Sequence, residues 1–235
     1  MGEKLSTGVP TLDRRLNGGL NPGDLMAIVT APATQSHALI AQMMRERSTL
    51  YLTTLRSASA IESDFDVLAD SESAVIVEDV ASGVSMENEF LHELTGSRTY
   101  SVASLTDDGM LDDVYEAVQR IDDPGNVVVD PTNPLERTAD RKAYQEVLDA
   151  LKTRLMETGS VGVLHCITHD DPPVFRETTL MVADVVWELD VRAVANGDVE
   201  FQLRIPKNRR GNAVLEEITL LIDQQRVYVD DSRNI

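Results

Sequence analysis

Short apolar runs alternate with stretches of helical periodicity over the first three quarters of the chain. The runs show little polar–apolar alternation and turn residues flank them, which is typical of strands buried on both faces of a sheet. They predict strands at residues 25–30, 49–54, 74–79, 126–130 and 160–167. Apolar residues at helical spacing predict helices at residues 36–47, 57–69, 85–95, 107–121 and 138–157. This β-α order predicts a mostly parallel sheet with helices on both faces.

The ends of two predicted helices carry capping signals. Ser36 is the predicted N-cap of the helix at 36–47, and Thr138 is the predicted N-cap of the helix at 138–157. Gly159 should end that second helix, because glycine readily adopts the left-handed conformation found there. Its buried stripe is predicted to be Tyr144, Val147, Leu148, Leu151 and Leu155.

After residue 183 the rhythm changes to strands with short connections. The sequences VVWELDV, VEFQLRI, VLEEITLLI and RVYV predict four strands in a hairpin or meander pattern. Asn196-Gly197-Asp198 joins the first two strands and Asp223-Gln224-Gln225 joins the last two. No linker or repeat interrupts the chain. We therefore expect a single domain over 1–235, with a core at about 20–190 and an antiparallel extension at about 191–230.

The charge balance limits the partners of this chain. It has 235 residues, with 40 Asp and Glu against 21 Lys and Arg and a formal net charge of -19. This charge argues against a general nucleic-acid coat protein, because phosphate repels an acidic surface. The acidic, lysine-poor composition resembles that of proteins from salt-loving archaea, where surface carboxylates keep chains soluble. An acidic patch for a basic partner is the alternative.

Cysteine count and hydropathy exclude further classes. Cys166 is the only cysteine, which excludes a disulfide framework and a cysteine-based zinc cluster. No window holds 18 apolar residues and the first ten residues lack an apolar signal region. These features predict a cytoplasmic protein.

The opening of the chain resembles a known family. Residues 5–29, LSTGVPTLDRRLNGGLNPGDLMAIV, are similar to the start of KaiC-like ATPases of the RecA superfamily. The matching residues are Ser6, Thr7, Gly8, Val9, Pro10, Leu12, Asp13, Gly18, Gly19, Leu20 and Gly23. The resemblance implies an α/β fold of the RecA/KaiC type, a mostly parallel sheet flanked by helices with a C-terminal antiparallel extension.

Later segments resemble the same family. NVVVD looks like the Walker B strand, whose aspartate is then Asp130, and VADVVWELD at 182–190 looks like a strand near the family's C-terminus. IPKNRRG at 205–211 resembles a Lys-x-Arg element, which maps to Lys207 and Arg209. In hexameric relatives that element reaches toward the nucleotide of the neighbouring subunit.

The phosphate loop departs from the family. A Walker A loop needs glycines to wrap phosphates, a lysine to reach the β- and γ-phosphates, and a hydroxyl to hold Mg²⁺. The chain has no glycine from 24 to 82 and no lysine from 5 to 141. In alignment with the family, the loop glycines fall at Thr30, Ala33 and Gln35, the lysine at Ser36 and the hydroxyl at His37.

A second departure concerns the catalytic base. Relatives carry adjacent glutamates at the end of the second strand, where this chain has Thr53-Thr54-Leu55-Arg56. Phosphoryl transfer depends on positioned charge and metal, so the missing lysine, hydroxyl and base argue against ordinary ATP hydrolysis. We therefore expect no enzymatic ATP turnover and no cofactor, with ATP and Mg²⁺ as the alternative.

Two interpretations of the loop stay open. Thr34, Ser36 and His37 lie where a helix N-terminus could hold an anion, and Asp130 could hold a metal through water. Alternatively, Ser36 only caps its helix and Asp130 is a strand-end carboxylate bound by turn donors. No dedicated metal site is predicted.

The sequence HCITHDD also concentrates reactive side chains, namely His165, Cys166, His169, Asp170 and Asp171. Zinc binding or a Cys-His nucleophile would use such residues. However, neighbouring residues of a strand point to opposite faces, which separates His165 from Cys166. Cys166 is therefore expected in the core.

Lys207, Arg209 and Arg210 form the densest basic group, which we call the basic cluster. It could be a solvated hairpin tip, and by the resemblance it is a subunit contact.

The leading hypothesis is a catalytically inactive KaiC-like protein with a regulatory or signalling role, which acts by assembly or by binding a protein such as a KaiC-like relative. One alternative is an ATP-binding KaiC/RecA-like ATPase of DNA recombination, repair or signalling with a divergent phosphate loop. Another is a small-ligand sensor.

Overall fold

The computed structural model describes residues 3–32, 34–66, 73–80, 109–193, 199–211, 213–223 and 226–230. The strands are β1 (Leu25–Thr30), β2 (Thr49–Thr53), β3 (Val75–Asp79), β4 (Asn126–Asp130), β5 (Val161–Ile167), β6 (Val185–Ala193), β7 (Val199–Asn208), β8 (Val214–Asp223) and β9 (Arg226–Val229). The helices are α1 (Pro10–Arg15), α2 (Ser36–Glu46), α3 (Ala58–Asp66), α4 (Gly109–Gln119), α5 (Asn133–Glu136), α6 (Arg141–Thr158) and α7 (Arg176–Val182). The helix predicted at 85–95 lies outside the described residues.

The strands form one nine-stranded sheet in the order β3-β2-β4-β5-β1-β6-β7-β8-β9. Every pair from β3 to β6 is parallel, and the pairs from β6 to β9 are antiparallel. The sequence-based prediction of a mostly parallel sheet with an antiparallel C-terminal extension is therefore confirmed. Within the described residues, no helix is long and apolar enough to cross a membrane.

The inner parallel strands β1, β2, β4 and β5 are buried on both faces. One face packs with α1 and α2, and its core includes Met26, Ile28, Val128, Val163 and Trp187. The other face packs with α4 and α6, and its core includes Leu25, Ala27, Val127, Val129 and Leu164. Strands buried on both sides need apolar residues at successive positions, which explains the unbroken apolar runs in the sequence.

Two predicted N-caps are wrong. Helix α2 begins after Gln35, whose side chain caps nothing, and Ser36 is buried in the first turn. Helix α6 begins after Asp140, whose carboxylate accepts hydrogen bonds from the backbone N–H groups of Lys142 and Ala143. The residues after β4 form the short helix α5, so the long helix α6 begins later than its apolar pattern suggests. Thr138 therefore lies before the cap.

The other expectations for the long helix are confirmed. Gly159 ends α6 in the left-handed conformation, with φ at 73°. All five residues of the predicted stripe, Tyr144, Val147, Leu148, Leu151 and Leu155, are buried.

The Ser-Thr-Gly opening has a structural role. The carboxylate of Asp13 accepts hydrogen bonds from the Ser6 hydroxyl at 2.8 Å and from the Thr7 backbone N–H at 2.8 Å. Gly8 has a φ of 79°, and a Cβ there would lie 2.3 Å from the backbone oxygen of Gln42. A side chain at this position would therefore collide with α2. The opening segment thus fixes α1 against α2.

Candidate functional site

A group of polar side chains lies at the carboxyl edge of the parallel strands. Strands β4, β5 and β1 are neighbours in the sheet, and α2 follows β1 at that edge. Open α/β sheets bind their ligands beyond this edge. The side chains that meet there are Thr30, His37, Tyr51, Asp130 and His165, which we call the Asp130 cluster.

The carboxylate of Asp130 is the centre of this cluster. Its Oδ1 lies 2.5 Å from Nδ1 of His165, and its Oδ2 lies 3.0 Å from Nε2 of His37. The Tyr51 hydroxyl also donates to Oδ2. Burial by itself would raise the pKa of Asp130, but the hydrogen bonds from His165 and His37 outweigh it and hold the pKa well below its usual range. Asp130 is therefore an ionised carboxylate at neutral pH.

The two histidines differ in their access to solvent. The side chain of His37 is 50% exposed, and its hydrogen bond with Asp130 raises its pKa. His165 is buried, and its Nε2 lies 2.9 Å from the hydroxyl oxygen of Thr30. The cluster thus has one wall of buried side chains and one residue that faces water.

Tyr51 completes the buried wall. Its side chain is fully buried, and burial followed by the negative charge of Asp130 raises its pKa. The phenol therefore stays protonated and acts as a hydrogen-bond donor at all physiological pH values.

Strand register brings these side chains together. Tyr51 of β2 pairs with the residue of β4 that is two positions before Asp130. His165 of β5 likewise pairs with the residue of β1 that is two positions before Thr30. Because side chains two apart on a strand share a face, all four lie on the α2 side of the sheet. His37 is the second residue of α2, and from there its ring reaches Asp130.

The predicted anion site is only partly assembled. His37 and Asp130 do meet, as described. The hydroxyl of Thr34 instead donates to the backbone oxygen of Ala31 at 2.8 Å, which closes a turn of the loop. Ser36 is buried in the first turn of α2.

Sequence reasoning missed Thr30, Tyr51 and His165 as members of the site. His165 was considered only with its chain neighbours, whereas its partner Asp130 is 35 residues away. The available signal was the tendency of consecutive strands to be neighbours in a sheet. It places β4 beside β5, so that the last residue of β4 lies next to His165.

Cys166 lies on the opposite face of the sheet from His165, as expected. Burial, and next the negative charge of Glu136, raises the pKa of its thiol to about 12. The thiol is therefore not a nucleophile at neutral pH. His169, Asp170 and Asp171 are exposed in the loop beyond β5.

The basic cluster lies at the other edge of the sheet. Nζ of Lys207 donates to the backbone oxygen of Leu180 at 2.7 Å, and Arg209 pairs with Asp184 at 3.3 Å. Arg210 pairs with Asp24 at 2.7 Å. Asp184 and Asp24 immediately precede β6 and β1, so these contacts are at the amino ends of the strands.

The donor set of the Asp130 cluster differs from a magnesium site. Within the described residues, His37, Asp130 and His165 have ligand atoms that all lie within 4.8 Å of one another. Mg²⁺ prefers an octahedral shell of oxygen atoms, and this set offers two imidazole nitrogens and one carboxylate. The residues present therefore do not fit the Mg²⁺ that accompanies ATP in the resembling family.

The fold has a close counterpart among solved structures. It is similar to the crystal structure of the KaiC-like protein PH0186 from the hyperthermophilic archaeon Pyrococcus horikoshii OT3, with a TM-score of 0.68 and 17% sequence identity. The similarity covers 96% of this chain and 98% of that protein. The chain therefore has a KaiC-like fold over nearly its whole length.

Sequence comparison gives the family. No curated protein matches this sequence significantly. Residues 4–235 match a family described only as a family of unknown function, DUF7125. Because the match spans almost the entire sequence, the chain belongs to the family of unknown function DUF7125.

Proposed function

We propose that this chain is a KaiC-fold protein that does not hydrolyse ATP and acts by assembling with other protein chains in a regulatory or signalling role. The observation that supports this proposal is the Asp130 cluster. The carboxylate that corresponds to the Walker B aspartate accepts hydrogen bonds from three side chains of its own chain. To hold a hydrated Mg²⁺, it would have to lose them.

The surroundings of the cluster support the same proposal. The loop before α2 is a degenerate Walker A loop, since it lacks the glycines and the lysine that hold phosphates. At the end of β2, the Thr53 hydroxyl donates to the backbone oxygen of Arg56 at 2.8 Å, and the Thr54 hydroxyl donates to that of Pro131 at 2.6 Å. Where the resembling ATPases have glutamates that activate water, this chain therefore has hydroxyls that are engaged with backbone.

The basic cluster is the proposed contact with a second chain. Each of its cations is anchored to its own chain, yet the side chains of Arg209 and Arg210 remain 55% and 42% exposed. Anchored arginines lose little conformational freedom on binding, so they suit an interface with a carboxylate-rich surface. The proposed partner is a second copy of this chain or a KaiC-like relative.

The composition adds a proposal about the surroundings of the protein. A net charge of -19 with only four lysines favours a cytoplasm rich in salt, where screening weakens repulsion between carboxylates. We therefore propose a halophilic host, whose salt should be present in every assay.

The enzymatic half of the proposal is tested by ATPase assays and binding calorimetry with Mg²⁺ and ATP at high salt. The wild type and Asp130→Asn should both show no turnover above the protein-free rate. Magnesium-dependent turnover that Asp130→Asn abolishes would overturn the proposal in favour of an ATPase with a divergent loop. Binding of ATP without turnover would favour the ligand-sensor alternative.

The assembly half is tested by light scattering coupled to size-exclusion chromatography. The double variant Arg209→Ala/Arg210→Ala should weaken self-association or binding of a relative by at least about tenfold. The matched control is Arg204→Ala, which removes an arginine of β7, the strand just before the two arginines, that pairs with Glu188 and Asp190. Equal effects of both variants would contradict a specific contact through the basic cluster.

A further inference from the structure

The Asp130 cluster contains a complete set of ligands for a transition metal. His37 comes from the start of α2, Asp130 from the end of β4 and His165 from β5. Two imidazoles and one carboxylate form the protein part of many catalytic zinc sites and of facial-triad iron sites, in which water or substrate takes the remaining positions. We propose that His37, Asp130 and His165 bind a divalent transition-metal ion of the zinc class. This proposal uses the same Asp130 cluster as the proposed function but goes beyond it, because it involves no nucleotide.

The distances in the cluster suit this role. Two ligand atoms on one metal ion, each at about 2.1 Å from it, lie about 3.0–3.4 Å apart. Nε2 of His37 and Oδ2 of Asp130 are already 3.0 Å apart. Nδ1 of His165 and Oδ1 of Asp130 are 2.5 Å apart, as they are when a proton lies between them. Replacing that proton by a metal ion requires these two atoms to separate by about 0.5–0.9 Å. Binding by all three residues requires ligand atoms that now lie within 4.8 Å of one another to reach the spacing of about 3.0–3.4 Å.

The next layer of residues orients the ligands. Metal-binding histidines usually donate their other ring N–H to an oxygen, which fixes the ring and leaves the ligating nitrogen without a proton. Nε2 of His165 lies 2.9 Å from the Thr30 hydroxyl oxygen, so Nδ1 is the nitrogen left to bind the metal. The Tyr51 hydroxyl donates to Asp130 and orients the carboxylate. Both supporting residues are buried, so their positions are fixed by the core.

Access and ligand chemistry indicate the class of metal. His165 and Asp130 are buried, whereas half of the His37 side chain faces solvent, so an ion can enter on that side and keep water there. Imidazole nitrogens favour Zn²⁺, Co²⁺ or Ni²⁺ over Mg²⁺ and Ca²⁺, which prefer oxygen. The position that holds the Mg²⁺ hydroxyl in the resembling family is thus occupied by a nitrogen ligand.

The experiment is a titration of untagged, chelator-treated protein with Co²⁺ and Zn²⁺ in high-salt buffer, followed by visible absorption and calorimetry. We expect one ion per chain, and an excess of Mg²⁺ should not displace it. The variant His37→Ala should lower the affinity at least about 100-fold, and Thr30→Val should lower it about 10- to 100-fold through the His165 ring. Because His37 is half exposed, its replacement should leave the fold intact, which circular dichroism checks.

The matched control is His169→Ala, which removes an exposed histidine four residues after His165 and outside the cluster. Its affinity for Co²⁺ should equal that of the wild type. Wild-type protein that binds no stoichiometric ion would overturn the proposal. So would His37→Ala protein that binds like the wild type, or Co²⁺ that Mg²⁺ at equal concentration displaces.

Discussion

Single residues show three different ways to pair a buried carboxylate with neighbouring side chains. Asp130 is compensated by two histidines and a tyrosine, Glu136 by Arg176, and Asp184 by Lys152 and Arg209. A buried charge without a partner is strongly destabilising, so each carboxylate depends on its own neighbours. Arginine and lysine provide permanent charge, whereas histidines can also act as ligands. This difference separates the candidate site from the two structural pairs.

The Glu136–Arg176 pair gives a prediction about stability. Glu136 is fully buried, its Oε2 lies 2.7 Å from Nη2 of Arg176, and it also accepts the Thr179 hydroxyl at 2.5 Å. The variant Glu136→Gln leaves the guanidinium buried without a counter-charge. We expect it to lower the free energy of unfolding by about 3–5 kcal/mol. Urea unfolding followed by the fluorescence of Trp187, the single tryptophan, measures this loss.

The control for this prediction is Glu177→Gln. Glu177 directly follows Arg176 in the same helix, but its side chain is exposed. Its replacement should change the free energy of unfolding by no more than about 0.5 kcal/mol. Similar losses in both variants would mean that the buried pair contributes no more than surface charge.

How far the site was predictable also depends on single residues. The sequence indicated Asp130, because it follows an apolar strand, and His37, because it stands in the expected ligand loop. Tyr51 and His165 are members of apolar strands, where a polar side chain is easily read as part of the core. Their roles depend on which strands are neighbours in the sheet, and this information is not local to any segment.

At the scale of elements, the apolar runs located all five predicted strands of the parallel part to within one residue. Helix starts were less predictable, because a polar residue before a helix does not always cap it, and the Gln35 side chain before α2 caps nothing. In α6 the effective residue is Asp140 rather than Thr138. A carboxylate also interacts favourably with the positive end of the helix dipole, which a hydroxyl does less strongly.

The cap of α6 is tested by Asp140→Ala. Its carboxylate accepts two backbone N–H groups at 2.8 and 3.0 Å, and both would lose their partner. We expect the free energy of unfolding to fall by about 1 kcal/mol. The matched control is Asp149→Ala, the same substitution at an exposed position inside the same helix, where alanine is the better helix former. The capping role would be contradicted if, in urea unfolding, Asp149→Ala lowered the free energy of unfolding as much as Asp140→Ala does.

At the scale of the whole molecule, the two candidate sites lie at opposite edges of the sheet. The carboxyl edge carries the Asp130 cluster, and the amino edge carries the basic cluster with Asp24 and Asp184. Sequence alone indicated the basic cluster and two members of the Asp130 cluster, His37 and Asp130, but it could not place the two groups at opposite edges. That placement follows from strand directions, since β7 runs antiparallel to β6 and returns its basic end to the amino edge. A metal ion and a protein partner could therefore bind at the same time.

The net charge of -19 predicts how the whole molecule responds to salt. Carboxylates on a folded chain repel one another more than in the expanded unfolded chain, so low salt destabilises the fold. The screening length falls from about 10 Å at 0.1 M to about 3 Å at 1 M, so the midpoint of thermal unfolding should rise steeply over that range and then level off. A gain of about 2 kcal/mol would raise the midpoint by about 4–8 °C in a chain of this size.

The control variant for this prediction is Asp113→Asn/Glu116→Gln, which removes two exposed charges from α4. It should be more stable than the wild type at 0.1 M salt and should gain less from added salt. Sodium chloride and sodium sulfate at equal ionic strength separate screening from general salting-out, because screening depends on ionic strength alone. The opposite result would be a midpoint of thermal unfolding that rises with sulfate concentration by the same amount in the wild type and the variant. It would show that burial of apolar surface, rather than charge repulsion, governs the response.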